Sequence, residues 1–356
     1  MKVLFTGICG FVGNTLARAW AEASPGDTVF GADNFIRAGS ELNRDALRKL
    51  GIKVYHGDIR VASDFETLPA ADLVIDAAAN ASVLAGVDGR TSSRQLTEHN
   101  LLGTINILEY CKKHSSGLIL LSTSRVYSIA ALAGVRTEDS GAAFRLSPDQ
   151  VFPAGLGPEG VRENFSTSQP LSLYGSTKLA SEILALEYGE AFGFPVWINR
   201  CGVFAGAGQF GRADQGIFSF WINSYLRRRP LKYIGFAGTG RQVRDCLHPR
   251  DLLPLLRRQA AAGEAPCGRI FNLGGGTAGA MSLAELSAWC AERFGPHEVS
   301  RDPATRAFDI PWMVMDSALA RKAWDWRPQT PLAGILEEIA LHAEKNPGWL
   351  DLSGDL

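Results

Sequence analysis

The sequence carries almost no net charge, because 36 Lys and Arg residues balance 37 Asp and Glu residues and leave a formal charge of −1. A protein that binds nucleic acid usually has a marked basic excess, so we expect no nucleic-acid partner. A disordered chain would contain fewer apolar residues than the 46% found here. If the ligand is an anion, individual arginines must hold it, because the net charge does not.

Cysteine is sparse, and its spacing forms no recognisable motif. The six cysteines contain no C-x-x-C pair, which argues against a zinc ribbon or a thioredoxin-like motif, and we expect no metal site. Scattered cysteines in a chain of this length are typical of reduced, buried thiols in a cytoplasmic protein.

Long apolar runs are also missing. No uncharged apolar run approaches the roughly 18 residues that indicate a membrane span. The apolar N-terminus has one basic residue and leads directly into glycines, which makes it a poor signal peptide. We therefore expect no association with a membrane.

The order of the apolar segments predicts an α/β fold. Short apolar runs that alternate with helical patterns predict a doubly wound parallel (Rossmann) sheet with helices on both faces. The predicted strands cover residues 2–5, 28–32, 53–55, 73–75, 117–121, 196–199 and 270–273. The predicted helices cover residues 11–23, 101–108, 174–192, 217–227, 282–294 and 332–345.

The length of 356 residues fits two domains or one large domain. We expect residues 1–200 plus 246–273 to form the Rossmann domain. Residues 201–245 plus 274–356 are expected to form a smaller, interleaved α/β lobe that binds the substrate. Residues 128–171 contain several Gly, Pro and Ser residues, and they are predicted to form a long irregular excursion.

Three glycines follow the first predicted strand and begin the first helix. Gly7, Gly10 and Gly13 have the spacing G-x-x-G-x-x-G, which lets backbone N–H groups approach a pyrophosphate at the positive end of a helix. Asp33 lies 20 residues beyond Gly13, where a carboxylate bonds a ribose 2′-hydroxyl and repels a 2′-phosphate. The pattern predicts a site for NAD rather than NADP. Asp58 is expected near the adenine, or else it caps a helix.

Tyr174 and Lys178 lie four residues apart and therefore on one face of a helix. A phenol has a pKa of about 10, and a neighbouring ammonium and a positive nicotinamide both favour the phenolate. The pair predicts a tyrosine base, although the same spacing is common on half-exposed helices. A hydroxyl at the end of the fifth strand would bond a substrate oxygen. The residues alone leave Ser122, Thr123 and Ser124 open for this role.

Together these motifs resemble the extended short-chain dehydrogenase/reductase family of nucleotide-sugar epimerases and dehydratases, over most of the chain. The spacing of the family, counted back from the tyrosine of the Val126-Tyr127 pair, selects Thr123 as the catalytic hydroxyl. The NAD-binding residues that the resemblance implies are Gly7, Gly10, Phe11, Val12, Gly13, Asp33, Asn34, Asp58, Ile59, Ala77, Ala78, Asn100, Tyr174 and Lys178. The substrate-binding residues that it implies are Thr123, Gln215, Arg244 and Arg306.

Within that family the sequence is similar to the CDP-paratose 2-epimerases, through residues 33–39, 208–216 and 240–245. This resemblance implies epimerisation of a nucleotide-linked hexose at C-2 through a transient keto-sugar, with NAD tightly bound and recycled. Tyr174 would take the hydroxyl proton, Thr123 would bond the ketone oxygen, and Lys178 would hold the nicotinamide ribose and lower the pKa of Tyr174. Gly202 departs from the family pattern, because many members have a polar substrate-binding residue there.

Several alternatives remain open at this point. The same catalytic residues would serve a C-4 epimerase of a UDP-sugar. Ser124 and Arg125 stand where dehydratases of the family have Asp-Glu, which argues against a 4,6-dehydratase. A non-catalytic dinucleotide sensor on this fold would typically lack the tyrosine or the lysine, and a net sugar dehydrogenase would exchange its cofactor readily. The resemblance also implies a homodimer or homotetramer.

Overall fold

The computed structural model describes residues 1–87, 89, 92–263 and 268–353. Its strands, in chain order, are β1 (Lys2–Thr6), β2 (Thr28–Asp33), β3 (Lys53–His56), β4 (Leu73–Asp76), β5 (Gly117–Thr123), β6 (Thr137–Ser140), β7 (Ala143–Leu146), β8 (Leu156–Gly157), β9 (Gly160–Val161), β10 (Val196–Cys201), β11 (Val203–Phe204), β12 (Leu231–Ile234), β13 (Val243–Leu247), β14 (Ile270–Leu273), β15 (Ala280–Ser282), β16 (Val299–Asp302) and β17 (Trp312–Met313).

The α-helices, in chain order, are α1 (Phe11–Ala23), α2 (Asn43–Lys49), α3 (Ala62–Glu66), α4 (Ser93–Thr97), α5 (Gly103–His114), α6 (Ile129–Ala133), α7 (Ser172–Phe192), α8 (Ile217–Leu226), α9 (Leu253–Ala261), α10 (Leu283–Phe294), α11 (Ala318–Trp324), α12 (Leu332–Lys345) and α13 (Trp349–Leu352). Short 3₁₀ turns cover Ser40–Leu42, Ser124–Val126, Phe236–Gly238, Pro249–Leu252 and Thr277–Gly279, and a π-helical turn covers Glu98–Leu102.

Seven strands form one parallel sheet in the order β14-β10-β5-β4-β1-β2-β3. The strand order reverses between β1 and β4, so connecting segments leave these neighbours in opposite directions. In open α/β sheets a crevice for ligands forms at such a point, beyond the carboxyl ends of the strands. The predicted doubly wound parallel sheet is confirmed.

Helices cover both faces of this sheet. Since alternate side chains of a strand point to opposite faces, each strand packs against both layers of helices. Val3 and Phe5 of β1 pack on the face that α1, α9 and α11 cover, whereas Leu4 packs on the opposite face. Helices α3, α5 and α7 cover that second face. The strands are therefore apolar on both sides, as the continuous apolar runs of the sequence predict.

A second, smaller sheet lies beyond the carboxyl end of β10. Strands β11, β13, β15 and β17 form it, with the antiparallel pair β13–β15 and parallel pairs elsewhere. Apolar side chains of α8, α10 and α12 pack together beside this sheet. Ser282 caps α10 by a reciprocal capping box with Glu285, which fixes where that helix begins.

The prediction of an irregular excursion at 128–171 is wrong in part. The chain forms α6 and two antiparallel hairpins there, β6–β7 and β8–β9. Gly141, with a φ of 68°, lies in the turn of the first hairpin. The backbone N–H of Phe144 donates to the carbonyl of Arg241 at 3.0 Å, so the hairpin is held against the smaller lobe.

The predicted division into two domains stays a prediction, but one element crosses it. Helix α11 lies in the range 274–356, which was assigned to the smaller lobe. Its Trp324 packs edge-to-face on Trp197 of β10, with ring centroids 5.1 Å apart, and belongs to the core of the large sheet. The chain therefore returns to the Rossmann half before it forms α12.

Five of the six cysteines are free and buried in the structure. The sixth, Cys267, lies outside the described residues. Within the described ranges, no cluster of three or more His, Cys, Asp or Glu side chains could hold a metal ion. Among the helices of those ranges, none combines the length and the apolar character needed to cross a membrane.

Candidate active site

The glycine loop joins β1 to α1 in a conformation that side chains would block. Gly7 has a positive φ of 61°, and a Cβ on it would lie 2.9 Å from the Cα of Ala78. A Cβ on Gly13 would lie 2.2 Å from the carbonyl oxygen of Gly7. Gly10 precedes α1, and no side chain caps that helix. The first N–H groups of α1 therefore face the loop, an arrangement that fits a pyrophosphate.

Asp33 ends β2 beside this loop and is only 8% exposed. Its two carboxylate oxygens accept the backbone N–H groups of Cys9 and Phe35, each at 2.8 Å. Burial raises the pKa of Asp33, and these hydrogen bonds act in the opposite direction. The side chain of Asn34 donates to Asp58 at 3.0 Å, so the acidic residues predicted for the adenosine end of NAD lie close together.

Asp58 itself is held by several partners. The guanidinium of Arg60 contacts the carboxylate of Asp58 at 2.6 Å. The backbone N–H of Asp58 donates to the carboxylate of Asp64 at 2.9 Å. Hydrogen bonds with Arg60 keep the pKa of Asp58 below its ordinary value, although burial acts against them. Ile59, the next residue, fills the space that a Cβ on Gly103 would need. Both residues therefore form part of the wall at the end of β3.

Phe11 and Val12 form the first turn of α1, and Ala77 and Ala78 follow β4 across the glycine loop. Asn100 lies deeper. Its amide joins the loop after β4 to α7, because it contacts the backbone of Asn80 at 2.8 and 3.1 Å and Thr177 at 3.1 Å. These contacts make Asn100 a brace between two walls of the crevice.

The structure distinguishes the hydroxyls at the end of β5. Ser122 donates to the carboxylate of Glu182, which also pairs with Arg200 at 2.7 Å, so Ser122 is committed to a buried ion pair. Thr123 instead lies beside Tyr174, where its hydroxyl acts to lower the pKa of the phenol. The geometry thus favours Thr123, the residue that the family spacing selects, as the hydroxyl beside the tyrosine.

Lys178 lies one helical turn beyond Tyr174, and it is 2% exposed. Burial raises the pKa of Asp76, at the end of β4, and the charge of Lys178 lowers it. Lys178 acts in the same way on the thiol of Cys201, whose pKa burial raises. The positive charge of Lys178 therefore faces a buried carboxylate.

The predicted depression of the Tyr174 pKa does not appear in the structure. Burial raises the pKa of Tyr174, while the hydroxyl of Thr123 and the charge of Arg125 lower it. Arg125 is thus a cation that acts on Tyr174 in the structure, and the expected action of Lys178 on Tyr174 stays a prediction. The sequence offered a signal for Arg125, since it is a charged residue directly after a strand end.

Three arginines lie close enough to act on one another, and one of them, Arg125, also acts on Tyr174. Burial and the charges of Arg125 and Arg306 lower the pKa of Arg244 to about 9, against the attraction of Asp309. The Arg244 guanidinium lies 3.5 Å from the carboxylate of Asp309. Asp309 and Asp245 both attract Arg244, so the three arginines outnumber the acidic residues of this cluster, which fits an anionic ligand such as a nucleotide diphosphate. Asp309 carried no signal in the sequence.

Gln215 was predicted to bind the substrate. In the structure its side-chain oxygen accepts a hydrogen bond from Arg37 at 3.0 Å, and Arg37 lies in the loop after β2. This contact ties Gln215 to the Rossmann half of the molecule. Its role toward a substrate stays a prediction.

The absence of a side chain at Gly202 has a physical reason. A Cβ on Gly202 would lie 3.0 Å from a carboxylate oxygen of Asp245, and a Cβ on Gly274 would lie 2.0 Å from the other. Asp245 is 1% exposed. The buried carboxylate therefore occupies the space that a side chain at position 202 would need.

Chemically, the crevice combines a loop for a pyrophosphate, a hydroxyl pair at the end of β5 and an anion-binding cluster. The loop and Asp33 fit NAD, which supplies hydride acceptance and return. The Thr123–Tyr174 pair can move a proton to or from a hydroxyl, and the arginines can hold a diphosphate beside it. The arrangement therefore suits redox chemistry at a carbinol carbon of a nucleotide sugar.

Comparisons with known proteins agree with this geometry. The sequence model described as "NAD dependent epimerase/dehydratase family" matches residues 3–274. A CDP-paratose 2-epimerase from Salmonella typhi is 27% identical over 341 residues, which cover 92% of this chain and 95% of the relative. A UDP-glucuronate 4-epimerase from Thermodesulfobacterium geofontis is 26% identical over 357 residues, 96% of each chain.

Solved structures show the same fold. The UDP-glucuronic acid 4-epimerase from Bacillus cereus, solved in complex with UDP-glucuronic acid and NAD, superposes with a TM-score of 0.74 at 23% identity. The match covers 97% of this chain and 99% of that one. At this identity the likeness supports the shared fold, and the substrate has to be argued from the residues of this chain.

Proposed function

The chain belongs to the NAD dependent epimerase/dehydratase family, and from that premise we propose that it epimerises a nucleotide-linked hexose at C-2. The observation that carries the proposal is that Thr123, at the carboxyl end of β5, lies beside Tyr174 of α7, together with a cluster of arginines that fits a diphosphate. A non-catalytic sensor would have no need of this constellation.

In the proposed reaction, Thr123 holds the sugar oxygen while Tyr174 accepts its proton. The glycine loop and Asp33 would hold NAD, which would supply hydride acceptance and return at the adjacent carbon of the sugar. Lys178 would hold the nicotinamide ribose, and Arg244 and Arg306 would hold the diphosphate of the substrate. Because Thr123 contacts the oxygen on which charge changes most, its hydrogen bond would be stronger in the transition state than in the ground state.

Two features favour an epimerase over a dehydratase. An elimination needs an acid and a base beyond the tyrosine, and this chain has Ser124 and Arg125 after Thr123. The guanidinium of Arg125 stays charged at neutral pH, so it cannot serve as that acid. We therefore expect the hydride to return to the carbon that it left, without elimination.

The choice of C-2 has support from the 27% identity to a CDP-paratose 2-epimerase over nearly the whole chain. A 4-epimerase of a UDP-sugar is the second candidate, because the relative named UDP-glucuronate 4-epimerase is 26% identical over a similar length. The same Thr123 and Tyr174 would serve either carbon, and the pose of the sugar would decide.

We also propose a cytoplasmic homodimer or homotetramer. Adjacent helices α5 and α7 hold apolar side chains at the surface near the crevice: Ile183 on α7 is 56% exposed, and Leu102 directly before α5 is 40% exposed. The five free thiols are compatible with a reducing compartment.

Incubation with CDP-, GDP- and UDP-hexoses in deuterated water, followed by NMR, tests the reaction. We expect the C-2 epimer of one substrate, with no deuterium bound to carbon and no accumulation of NADH. Tyr174→Phe should lower turnover by about 10²–10⁴, the usual contribution of a general acid–base. Tyr188→Phe is the matched control, since Tyr188 lies on the same helix and bonds Glu109 at 2.9 Å.

Each alternative has its own signature in this assay. A product epimerised only at C-4 would make the C-2 assignment wrong. Stoichiometric NADH would mark a dehydrogenase, and carbon-bound deuterium would mark proton abstraction in place of retained hydride. A Tyr174→Phe enzyme with the rate of Tyr188→Phe would remove Tyr174 from the mechanism.

A further inference from the structure

Three buried residues of α7 follow one another at intervals of four. Tyr174, Lys178 and Glu182 are all buried, and residues four apart in a helix lie one above the other on the same face. Tyr174 and Lys178 are the predicted catalytic pair, whereas Glu182 has no part in the proposed reaction. Because burying a carboxylate is costly unless it is paired, the partners of Glu182 indicate what it does.

Arg200 of β10 holds this carboxylate with one edge of its guanidinium. Its Nη2 lies 2.7 Å from Oε2 of Glu182, and its Nε lies 3.1 Å from each carboxylate oxygen. A forked contact of this kind fixes the orientation of the two groups as well as their separation. The face of α7 that carries Tyr174 is therefore attached to a strand of the large sheet through this ion pair.

The same carboxylate reaches the strand that ends in Thr123. Ser122, the residue directly before Thr123 in β5, donates its hydroxyl to Glu182. Strands β5 and β10 are paired with Ser122 opposite Arg200. The backbone that leads into Thr123 is thus tied both to α7 and to the arginine of the neighbouring strand.

The arginine also holds the chain that leaves Thr123. Tyr127 ends the 3₁₀ turn that begins after Thr123, and Nη1 of Arg200 donates to its phenol oxygen at 3.2 Å. That phenol donates in turn to the side chain of Asn272 of β14 at 2.6 Å. The guanidinium lies 5.1 Å from the centre of the Tyr127 ring, a distance at which a cation is attracted to an aromatic face. Side chains on both sides of Thr123 are therefore bound to one ion pair.

We propose that Glu182 and Arg200 are positioning residues that hold Thr123 in a fixed place relative to Tyr174. Glu182 belongs to the helix of the tyrosine, and the pair binds residues before and after the threonine, so a shift of α7 along β5 would break its contacts. The inference rests on the proposed function, in which Thr123 and Tyr174 contact the sugar hydroxyl. Lys178 keeps the role that the resemblance implies.

Removing one partner alone would leave a buried charge and destabilise the protein. The test variant therefore replaces both, Glu182→Leu with Arg200→Met, because apolar side chains of similar volume often stabilise a fold as well as a buried ion pair does. These side chains cannot bond Ser122 or Tyr127. With NAD bound and with CDP-, GDP- and UDP-hexoses as substrates, we expect kcat to fall about 10–100-fold while KM stays near the wild-type value, since a misplacement of about 1 Å can cost about a hundredfold in rate.

A milder variant removes a single contact. Ser122→Ala leaves both the ion pair and its contact with Tyr127 in place, and it should lower kcat by a smaller factor than the double variant does, again without a change in KM. If Ser122→Ala and the folded double variant both turn over at the wild-type kcat, the proposal is overturned.

Asn199→Leu is the matched control, because Asn199 is the neighbour of Arg200 in β10. Its side-chain amide exchanges hydrogen bonds with that of Gln259 on α9, at 2.9 and 3.0 Å, and both residues are buried. The control should lower the urea midpoint of unfolding and leave kcat unchanged. If Asn199→Leu loses as much kcat as the double variant, the loss comes from a loosened strand and the positioning role is wrong.

A signal from Tyr174 itself separates this inference from the proposed function. In NMR spectra of NAD-loaded protein with isotope-labelled tyrosine rings, the Tyr174 signal is the one that Tyr174→Phe lacks. The double variant should move this signal, and Asn199→Leu should leave it in place. If wild type turns over no nucleotide sugar and the signal moves in the double variant alone, the proposed function fails and the positioning role stands. An unmoved signal in the double variant would overturn the positioning role, even in an enzyme that epimerises its substrate as proposed.

Discussion

Asp245 shows how one buried carboxylate shapes both the sequence and the stability. Burial raises its pKa to about 7, while the backbone N–H groups of Met315 and Gly276 act in the opposite direction. These donors lie 3.3 and 3.4 Å from its carboxylate. Gly202 and Gly274 leave the space that the carboxylate occupies. The glycine at position 202, which departs from the family pattern, is therefore explained by Asp245, a neighbour that is distant in the sequence.

This carboxylate predicts a pH dependence of stability. The unfolded chain loses the Asp245 proton near pH 4, whereas the folded chain keeps it to about pH 7. Because the folded state binds more protons in that range, the free energy of unfolding falls as pH rises from about 4 to 7, by about 4 kcal/mol from this residue. Asp245→Asn should remove that fall. Urea unfolding at pH 5 and pH 8 measures it.

Asp45→Asn is the matched control, because the side chain of Asp45 on α2 is 78% exposed. It should unfold with the pH dependence of wild type. If Asp245→Asn loses as much stability between pH 5 and pH 8 as wild type does, then Asp245 is ionised in the folded protein and the argument from its burial is wrong.

At the scale of elements, the sequence determined the long regular segments well. The predicted helix at 332–345 matches α12, since its apolar residues recur at helical spacing and bury Ile335, Leu336 and Ile339. The predicted strand at 196–199 is two residues shorter than β10. Polar Arg200 lies in that extension, and its pairing with Glu182 of α7 depends on a contact that periodicity does not reveal.

Short paired elements could not be predicted in the same way. Strands β8 and β9 have two residues each, which is too short for any periodic pattern. Their pairing depends on close approach to the segment around Met315, whose bridge with Val161 is distant in sequence. Residues 128–171 therefore looked irregular, although their hairpins are held by the smaller lobe.

Helices α5 and α7 carry a prediction about assembly. They pack against each other, and Tyr188 of α7 donates to Glu109 of α5 at 2.9 Å. Ile183 of α7 is an apolar side chain that is 56% exposed to solvent. If this face is the interface, Ile183→Lys should bury a charge there and shift the protein toward monomers, as light scattering after size-exclusion chromatography would show.

Leu341→Lys is the control for this change, because Leu341 is a comparably exposed apolar residue, at 44%, on α12. It should leave the oligomer unchanged. A wild-type protein that is already monomeric at micromolar concentration would contradict the proposed assembly, and equal dissociation by both variants would remove the interface from α7.

At the scale of the whole molecule, the site is distributed over the chain in a way that motifs only partly disclose. Gly7, Asp33 and Tyr174 lie in short patterns that carry their own chemistry. Arg125 and Arg37 contact partners more than 170 residues away, since Arg125 contacts the carbonyl of Phe308 and Arg37 donates to Gln215. Asp309 pairs with Arg244, which is also distant in the sequence. Such pairs form no short sequence pattern, because their members are distant in the sequence and meet only in the folded chain.

One set of these distant pairs joins a segment of the smaller lobe to two loops that border the predicted NAD site. We define the strap as residues 209–216. Ser82, in the loop after β4, donates to Asp214 of the strap at 2.5 Å. Arg37, in the loop after β2, donates to Gln215 at 3.0 Å. The ring of Phe210 stacks on Trp349 of α13 at 5.1 Å, which supports the strap from the far side.

Because both loops border the dinucleotide crevice, the strap should slow the exit of NAD. A hydrogen bond from a charged donor contributes about 1.5–3 kcal/mol, and each 1.4 kcal/mol is about tenfold in an equilibrium. Arg37→Met should therefore release NAD roughly 10–100-fold faster than wild type. The rate can be followed as the loss of bound nucleotide per protomer during dialysis, measured by absorbance after denaturation of the protein.

Arg229→Met tests whether any lost arginine near α13 would have this effect. Arg229 pairs with Asp351 of α13 at 2.6 Å, and it lies in the smaller lobe after α8, away from both loops that the strap contacts. It should release NAD at the wild-type rate. If Arg37→Met retains NAD as long as wild type, the strap does not control release, and retention has to come from the loop and Asp33 alone. If both variants release NAD quickly, the cause is a loosened α13 and its support of Phe210. A fast rate in Arg37→Met alone assigns the barrier to the bridge between the two halves, which would explain how a recycled cofactor stays bound from one turnover to the next.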